Sequence, residues 1–195
     1  MLILDSEHLK DAKITLTLIF INLFCFIVFN LILPVDYILL FVQINENIIN
    51  NYEIWRIFSS LFLHSDIIHL FSNMFGLLLF GATIENSRSY SNIEYLSLYF
   101  ISGLIGNLFS LILLPLNSIS LGASGAIFGL IGAAFVKIAT EDRSLLFLAL
   151  LYILFFIITS LAPDINLWAH IFGLLSGVIF ALFLKQKERE VDDYY

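Results

Sequence analysis

The sequence predicts an all-α, polytopic membrane protein: one membrane domain over residues 1–195, built as a bundle of six transmembrane helices. Two observations carry this. Sixty per cent of the residues are hydrophobic and only 13% are charged, too few to clothe a soluble domain of this length in water-facing surface. Apolar blocks at about 14–33, 67–84, 93–114, 122–139, 145–161 and 165–184 each approach the ~20 residues a helix needs to cross a hydrocarbon core about 30 Å thick. Together they use up most of the chain, leaving no space for a second folded domain or a nucleotide site. A net charge of −7 with no basic cluster argues against nucleic acid as a partner.

The first block, 14–33, holds the single cysteine, Cys25, which excludes an internal disulfide. It is long for a signal-peptide core and lacks a small-residue cleavage site, so it reads as a retained span. The connection 34–66 is the one long loop, and long loops in compact proteins tend to carry function. Its later part, EIWRIFSSLFLH, sets Ile54, Ile57, Phe58, Leu61 and Phe62 on one helical face beside Trp55 and Arg56. That pattern predicts a helix lying in the outer interface. The second block begins around HSDIIHLFSNM, with His64 ahead of it and His69 and Asn73 sharing a face at i, i+4. The third lies in a stretch from Tyr95 to Val136 that contains no charged residue. The fourth carries SLGASGAIFGLIG, where Gly125, Gly129 and Gly132 form a small-residue stripe with Ser124 at its edge. The fifth, 145–161, brings the chain back across. The sixth carries AHIFGLLSG, with His170, Gly173 and Gly177 at i, i+3 and i+7.

Six crossings place the N-terminus, the 85–92 and 137–144 loops and the C-terminal tail on one side. That side holds Lys10, Lys13, Arg88, Lys137, Arg143, Lys185, Lys187 and Arg189; the other holds only Arg56. The asymmetry predicts that both termini are cytoplasmic and that 34–66 is external. His64, His69, Asn73, Ser124 and His170 then fall at one depth near the outer face. Strongly polar groups inside a membrane are costly and usually face a bundle interior or wet cavity, so their convergence predicts a site.

A serine becomes a nucleophile when a base takes its proton, and neutral imidazole is the usual base. Two helices faced with glycine pack backbone to backbone, which brings Ser124 on one stripe within reach of His170 on the other. Ser124 lies at a helix N-terminus, where unpaired N–H groups and the positive dipole end favour an oxyanion. His69 and Asn73 can both donate towards the same place, although an asparagine in such a helix also serves as interhelical glue. Asp164 is the acid nearest to His170 in sequence, six residues away in a loop after Pro163; a Ser–His dyad fits better than a triad.

HSDIIHLFSNM, GASG at 122–125 and AHIFGLLSG, in this order and on these helices, resemble the rhomboid intramembrane serine proteases. The resemblance runs from Trp55 to about Leu184 and includes WR at 55–56 and GATIE at 81–85. It implies the minimal six-helix form and cleavage of transmembrane segments of other membrane proteins near the outer interface. Carried residue by residue, it makes Ser124 the nucleophile and His170 the general base, with His69, Asn73 and the Ser124 amide as the oxyanion hole. Gly122, Gly125, Gly173, Gly177, Trp55 and Arg56 take supporting places. Phe128 stands where the family often has a tyrosine that packs on the histidine, so stacking is kept and a hydroxyl is lost. The substrates implied are bilayer segments weakened as helices, with a small residue before the cut. No cofactor or metal is implied, and H-E-x-x-H is absent. The alternative readings are a rhomboid-like pseudoprotease that holds membrane clients without cutting them, and a transporter with a polar outer vestibule. No internal repeat favours the transporter.

Overall fold

The computed structural model describes residues 11–87, 89–141, 144, 146–161 and 165–192. Lys10, Arg88, Arg143 and Asp164 lie outside the described residues. In chain order the elements are α1 (Lys13–Ile32), β1 (Gln43–Ile44), α2 (Asn45–Asn51), α3 (Arg56–Ser59), α4 (Ile67–Glu85), α5 (Asn92–Leu113), β2 (Ile119–Ser120), α6 (Ser124–Glu141), α7 (Leu146–Thr159) and α8 (Leu167–Asp192). α1 closes with a π-helical stretch, Ile27–Ile32, and α4 contains another, Leu77–Gly81. Among the described residues, four helices are long and apolar enough to cross a bilayer: α1, α4, α5 and the Leu167–Leu184 part of α8, with Ser124–Thr140 of α6 as a shorter apolar helix. Phe20, Phe71 and Ile179 on α1, α4 and α8 point outwards and are about two thirds exposed, the surface expected of helices solvated by lipid.

Helix ends in such a surrounding need protein partners, because hydrocarbon offers no hydrogen bonds. Asp66 caps α4 by accepting from the backbone N–H groups of Ile68 and His69, each at 2.9 Å. Ser91 and Glu94 form a capping box at the start of α5. Glu85, the last residue of GATIE, accepts from the backbone N–H groups of Ile14 and Thr15, each at 2.7 Å. The end of α4 thereby caps the start of α1 and fixes both at the same end of the bundle. Gly81 of the same motif sits where a Cβ would lie 2.8 Å from Tyr95 Oη and 2.9 Å from Thr15 Oγ1.

The two glycine stripes face each other. A Cβ on Gly173 would collide with the Gly125 carbonyl oxygen, and one on Gly177 with that of Gly129. α6 and α8 therefore meet main chain to main chain, with a contact that any larger residue would force apart. α5 closes the other flank, where Gly106 lies against the Ala169 carbonyl.

The loop between α1 and α4 is helical where a helix is expected, around 54–62, though in short turns. Only one α-helical turn forms, α3, followed by a 3-10 turn, Ser60–Phe62. Two of its carbonyls also bind partners on other elements. Ile57 O accepts from Asn107 Nδ2 at 2.8 Å, and Ser60 O accepts from the Gly122 N–H at 2.9 Å. Arg56 is 3% exposed rather than lying out in the interface. Its guanidinium pairs with Glu53 and donates to the carbonyls of Leu39 and Val42. Trp55 Nε1 donates to Leu40 O at 3.3 Å. The loop is thus a folded cap, and its strand β1 pairs antiparallel with β2, Gln43 opposite Ser120.

Candidate active site

That pairing positions Ser124. β2 leads through Gly122, whose φ of +122° favours glycine, into α6, and Ser124 is the first helical residue. The chain turns there because Gly122 is held by the Ser60 carbonyl on one side while Gly125 is pinned against Gly173 on the other. Ser124 is half-buried. Among the described residues, no side chain engages its hydroxyl.

Ser124 opens onto a cavity of about 770 Å³ between α4, α6 and the beginning of α8. His69, Asn73, Phe128 and His170 line it with Ser124, and Ile68, Ile127 and Ile131 supply its apolar wall. His170 is the fourth residue of α8 and is buried. Its ring lies flat on Phe128, with centroids 4.2 Å apart and planes 11° from parallel. Its Nδ1 is 2.6 Å from Ser160 Oγ.

His69 and Asn73 converge on the other side. A Cβ on Gly122 would lie 2.8 Å from His69 Nε2 and 3.9 Å from Asn73 Nδ2, so both nitrogens aim at the turn just before Ser124. Asn73 Nδ2 also donates to the His69 carbonyl within α4, at 2.9 Å. Ser65 Oγ lies 3.1 Å from His69 Nδ1 and donates to Asp66 Oδ2 at 2.7 Å. Hydrogen bonds from the His69 backbone and the Ser65 hydroxyl hold the Asp66 carboxyl below the usual carboxylate range.

His64 does not line the cavity. Its ring is fully buried 5.1 Å from that of His69, and neither nitrogen has a partner among the described residues. Burial, then the neighbouring His69, pulls its pKa from the ordinary 6.5 to about 3, against an upward pull from Asp66. Trp55 and Arg56 likewise stay away from the cavity and hold the loop. Gly125, Gly173 and Gly177 act through the α6–α8 contact. Among the described residues no group of three His, Cys, Asp or Glu side chains is placed to hold a metal ion.

Several polar residues lining the cavity escape sequence reasoning, among them Ser65, Ser160 and Asn166. Asn166 caps α8 by accepting from Ala169 N at 3.0 Å and donates to Ser110 and Ser120 at 2.8 and 2.9 Å. It ties α5, β2 and α8 into one frame around the cavity. A helix-capping reading of DINLWAH, with asparagine just ahead of an apolar run, was the available signal for it. Ser65 and Ser160 are lone serines beside helix ends, and their spacing carries no such signal.

The Rhomboid domain family matches this chain over residues 51–187. The chain is similar to RHOMBOID-like protein 6, mitochondrial, of Arabidopsis thaliana, at 38% identity over 146 residues, 71% of this chain and 46% of that protein. It is also similar to Rhomboid-like protease 1 of Toxoplasma gondii, at 32% over 154 residues, 73% of this chain and 51% of that one. A third relative, Inactive RHOMBOID-like protein 8 of Arabidopsis thaliana, is 33% identical over 132 residues, 65% of this chain and 37% of that one. The chain thus spans about half or less of the length of these relatives.

Proposed function

The chain belongs to the rhomboid family, and from that premise we propose that it is an intramembrane serine endopeptidase with a Ser124–His170 dyad. The observation that carries this is the meeting of Ser124, His170, His69 and Asn73 on one cavity. Neutral His170 takes the Ser124 proton at Nε2 as Oγ adds to the substrate's peptide carbonyl. The carbonyl oxygen becomes an oxyanion facing the Ser124 amide, His69 Nε2 and Asn73 Nδ2. Collapse breaks the C–N bond, and His170 returns the proton to the leaving amine. Water then repeats the sequence on the acyl-enzyme, releasing the new carboxyl end and free Ser124.

A peptide bond in a membrane helix is already hydrogen-bonded within that helix, so it must unwind before Ser124 reaches it. The substrates are accordingly transmembrane segments of membrane proteins carrying helix-weakening residues near the outer interface. All six helices α1 and α4–α8 cross the bilayer in this reading, as a multi-pass protein of the cell membrane with both termini cytoplasmic. Single cysteines introduced in a Cys25→Ser background test the orientation. A membrane-impermeant maleimide added to intact cells should label positions in 34–66 and spare both ends; label at either end rejects it.

The second reading, a pseudoprotease that binds membrane clients, is favoured by one observation, the relative whose name describes it as inactive. Purified protein treated with a serine-reactive fluorophosphonate separates the two. Wild type should label and Ser124→Ala should not. Wild type that stays unlabelled while folded supports the pseudoprotease.

A further inference from the structure

We propose that Ser160 is a positioning residue for His170: its hydroxyl holds Nδ1, keeps the proton there, and leaves the Nε2 lone pair for Ser124. This rests on the dyad reading above and extends it to a third side chain. Neutral imidazole has one N–H and one lone pair, and whichever nitrogen donates leaves the other basic. Stacking on Phe128 at 11° fixes the plane of the His170 ring but does not choose which nitrogen faces Ser124. The hydroxyl 2.6 Å from Nδ1 turns that nitrogen towards Ser160, and by accepting from its N–H it would leave Nε2 basic.

The surroundings favour a hydroxyl in this position. Ser160 and His170 are 3% and 8% exposed, and an ionised carboxylate there would carry a large desolvation penalty. A serine accepts the same N–H without bringing charge into the bundle. Its own place is fixed by a tight turn at the end of α7, where the N–H groups of Ser160 and Leu161 donate to Ile157 and Ile158, each at 3.1 Å. The bond therefore spans the α7–α8 connection and ties the imidazole to a second helix end.

The test is the tautomer of His170 in full-length protein labelled with ¹⁵N-histidine, its resonances assigned by their loss in His170→Ala. At neutral pH, wild type should carry the proton on Nδ1 and an unprotonated Nε2. Ser160→Ala should lose that preference and turn over about 10- to 100-fold more slowly with KM within about twofold. That is less than the loss when a buried carboxylate orienter is removed, because a neutral partner holds the ring less firmly. Ser160→Thr, which keeps the hydroxyl, should return turnover to within about threefold of wild type. Wild type protonated on Nε2 overturns the proposal whether or not the alanine variant folds. So does a Ser160→Ala protein that melts and turns over like wild type. Ser124→Ala and His170→Ala run alongside distinguish the failures. Activity in either of them overturns the dyad itself, whereas silence in both beside an unaffected Ser160→Ala overturns only the Ser160 assignment.

Discussion

Ser124→Ala, His170→Ala and the double variant should all fall to one floor of activity, about 10⁴- to 10⁶-fold below wild type. Nucleophile and base act on a single proton, so removing one leaves the other nothing to do. Losses that multiply in the double variant would show that the two residues do not form a unit. Turnover should also decline on acidification, because only neutral His170 accepts the Ser124 proton. Stability changes along the same axis and must be measured beside it. Folded His64 stays neutral down to about 3, held so mainly by burial, whereas an unfolded chain takes up that proton near 6.5. Between those values the unfolded state binds more protons. The contribution to stability is therefore complete above about 6.5 and drains away as the pH falls towards 3. A thermal melt at each pH separates loss of the base from loss of the fold.

The parts of this site that could be read in the sequence are those written in helical period. Glycines three or four residues apart mark a face, and a serine and a histidine on two such faces predict an encounter. The structure brings those faces together, Gly173 on Gly125 and Gly177 on Gly129, with Ser124 and His170 on one cavity. Contacts made across the fold by residues without a period were out of reach. Ser160 precedes His170 by ten residues, and only the turn ending α7 decides whether its hydroxyl meets the ring. The same holds for the ties that the 34–66 loop makes to other elements. The pattern at 54–62 forms short helical turns, and Asn107 on α5 and Gly122 before α6 bind to carbonyls within them. The helical pattern sets Arg56 beside an interfacial helix and does not reveal that its side chain is buried. Backbone carbonyls from Leu39 and Val42, far from it in sequence, make burial of the guanidinium tolerable. The role of GATIE was equally hidden, since Glu85 finds its partners in the backbone of residues 14 and 15.

His69→Ala and Asn73→Ala should each lose about 10²–10³ in turnover, equivalent to roughly 3–4 kcal/mol of transition-state stabilisation, with little change in KM. A donor aimed at the forming oxyanion acts on the transition state more than on the bound substrate. Neither variant should reach the Ser124→Ala floor, because the Ser124 amide and the remaining donor still act. Both should label with fluorophosphonate, more slowly than wild type. The competing role is structural: a polar side chain joining membrane helices contributes about 0.6 kcal/mol, and its removal shows in stability rather than rate. The side-chain bond that Asn73 makes stays within α4, on the His69 carbonyl, so truncating it breaks no tie between helices and should barely move the melt. His69 adds a condition. To donate from Nε2 in its neutral form, the ring must accept at Nδ1, and Ser65 is the hydroxyl within reach at 3.1 Å. That hydroxyl donates to Asp66 at 2.7 Å, so in the proposed role it would turn from the carboxylate to the ring. Ser65→Ala should then share part of the His69→Ala defect in turnover while leaving Asn73's contribution intact. Turnover, KM and a melt for the three variants decide the matter. Should Asn73→Ala melt early yet turn over normally while folded, the asparagine is glue and its oxyanion role fails.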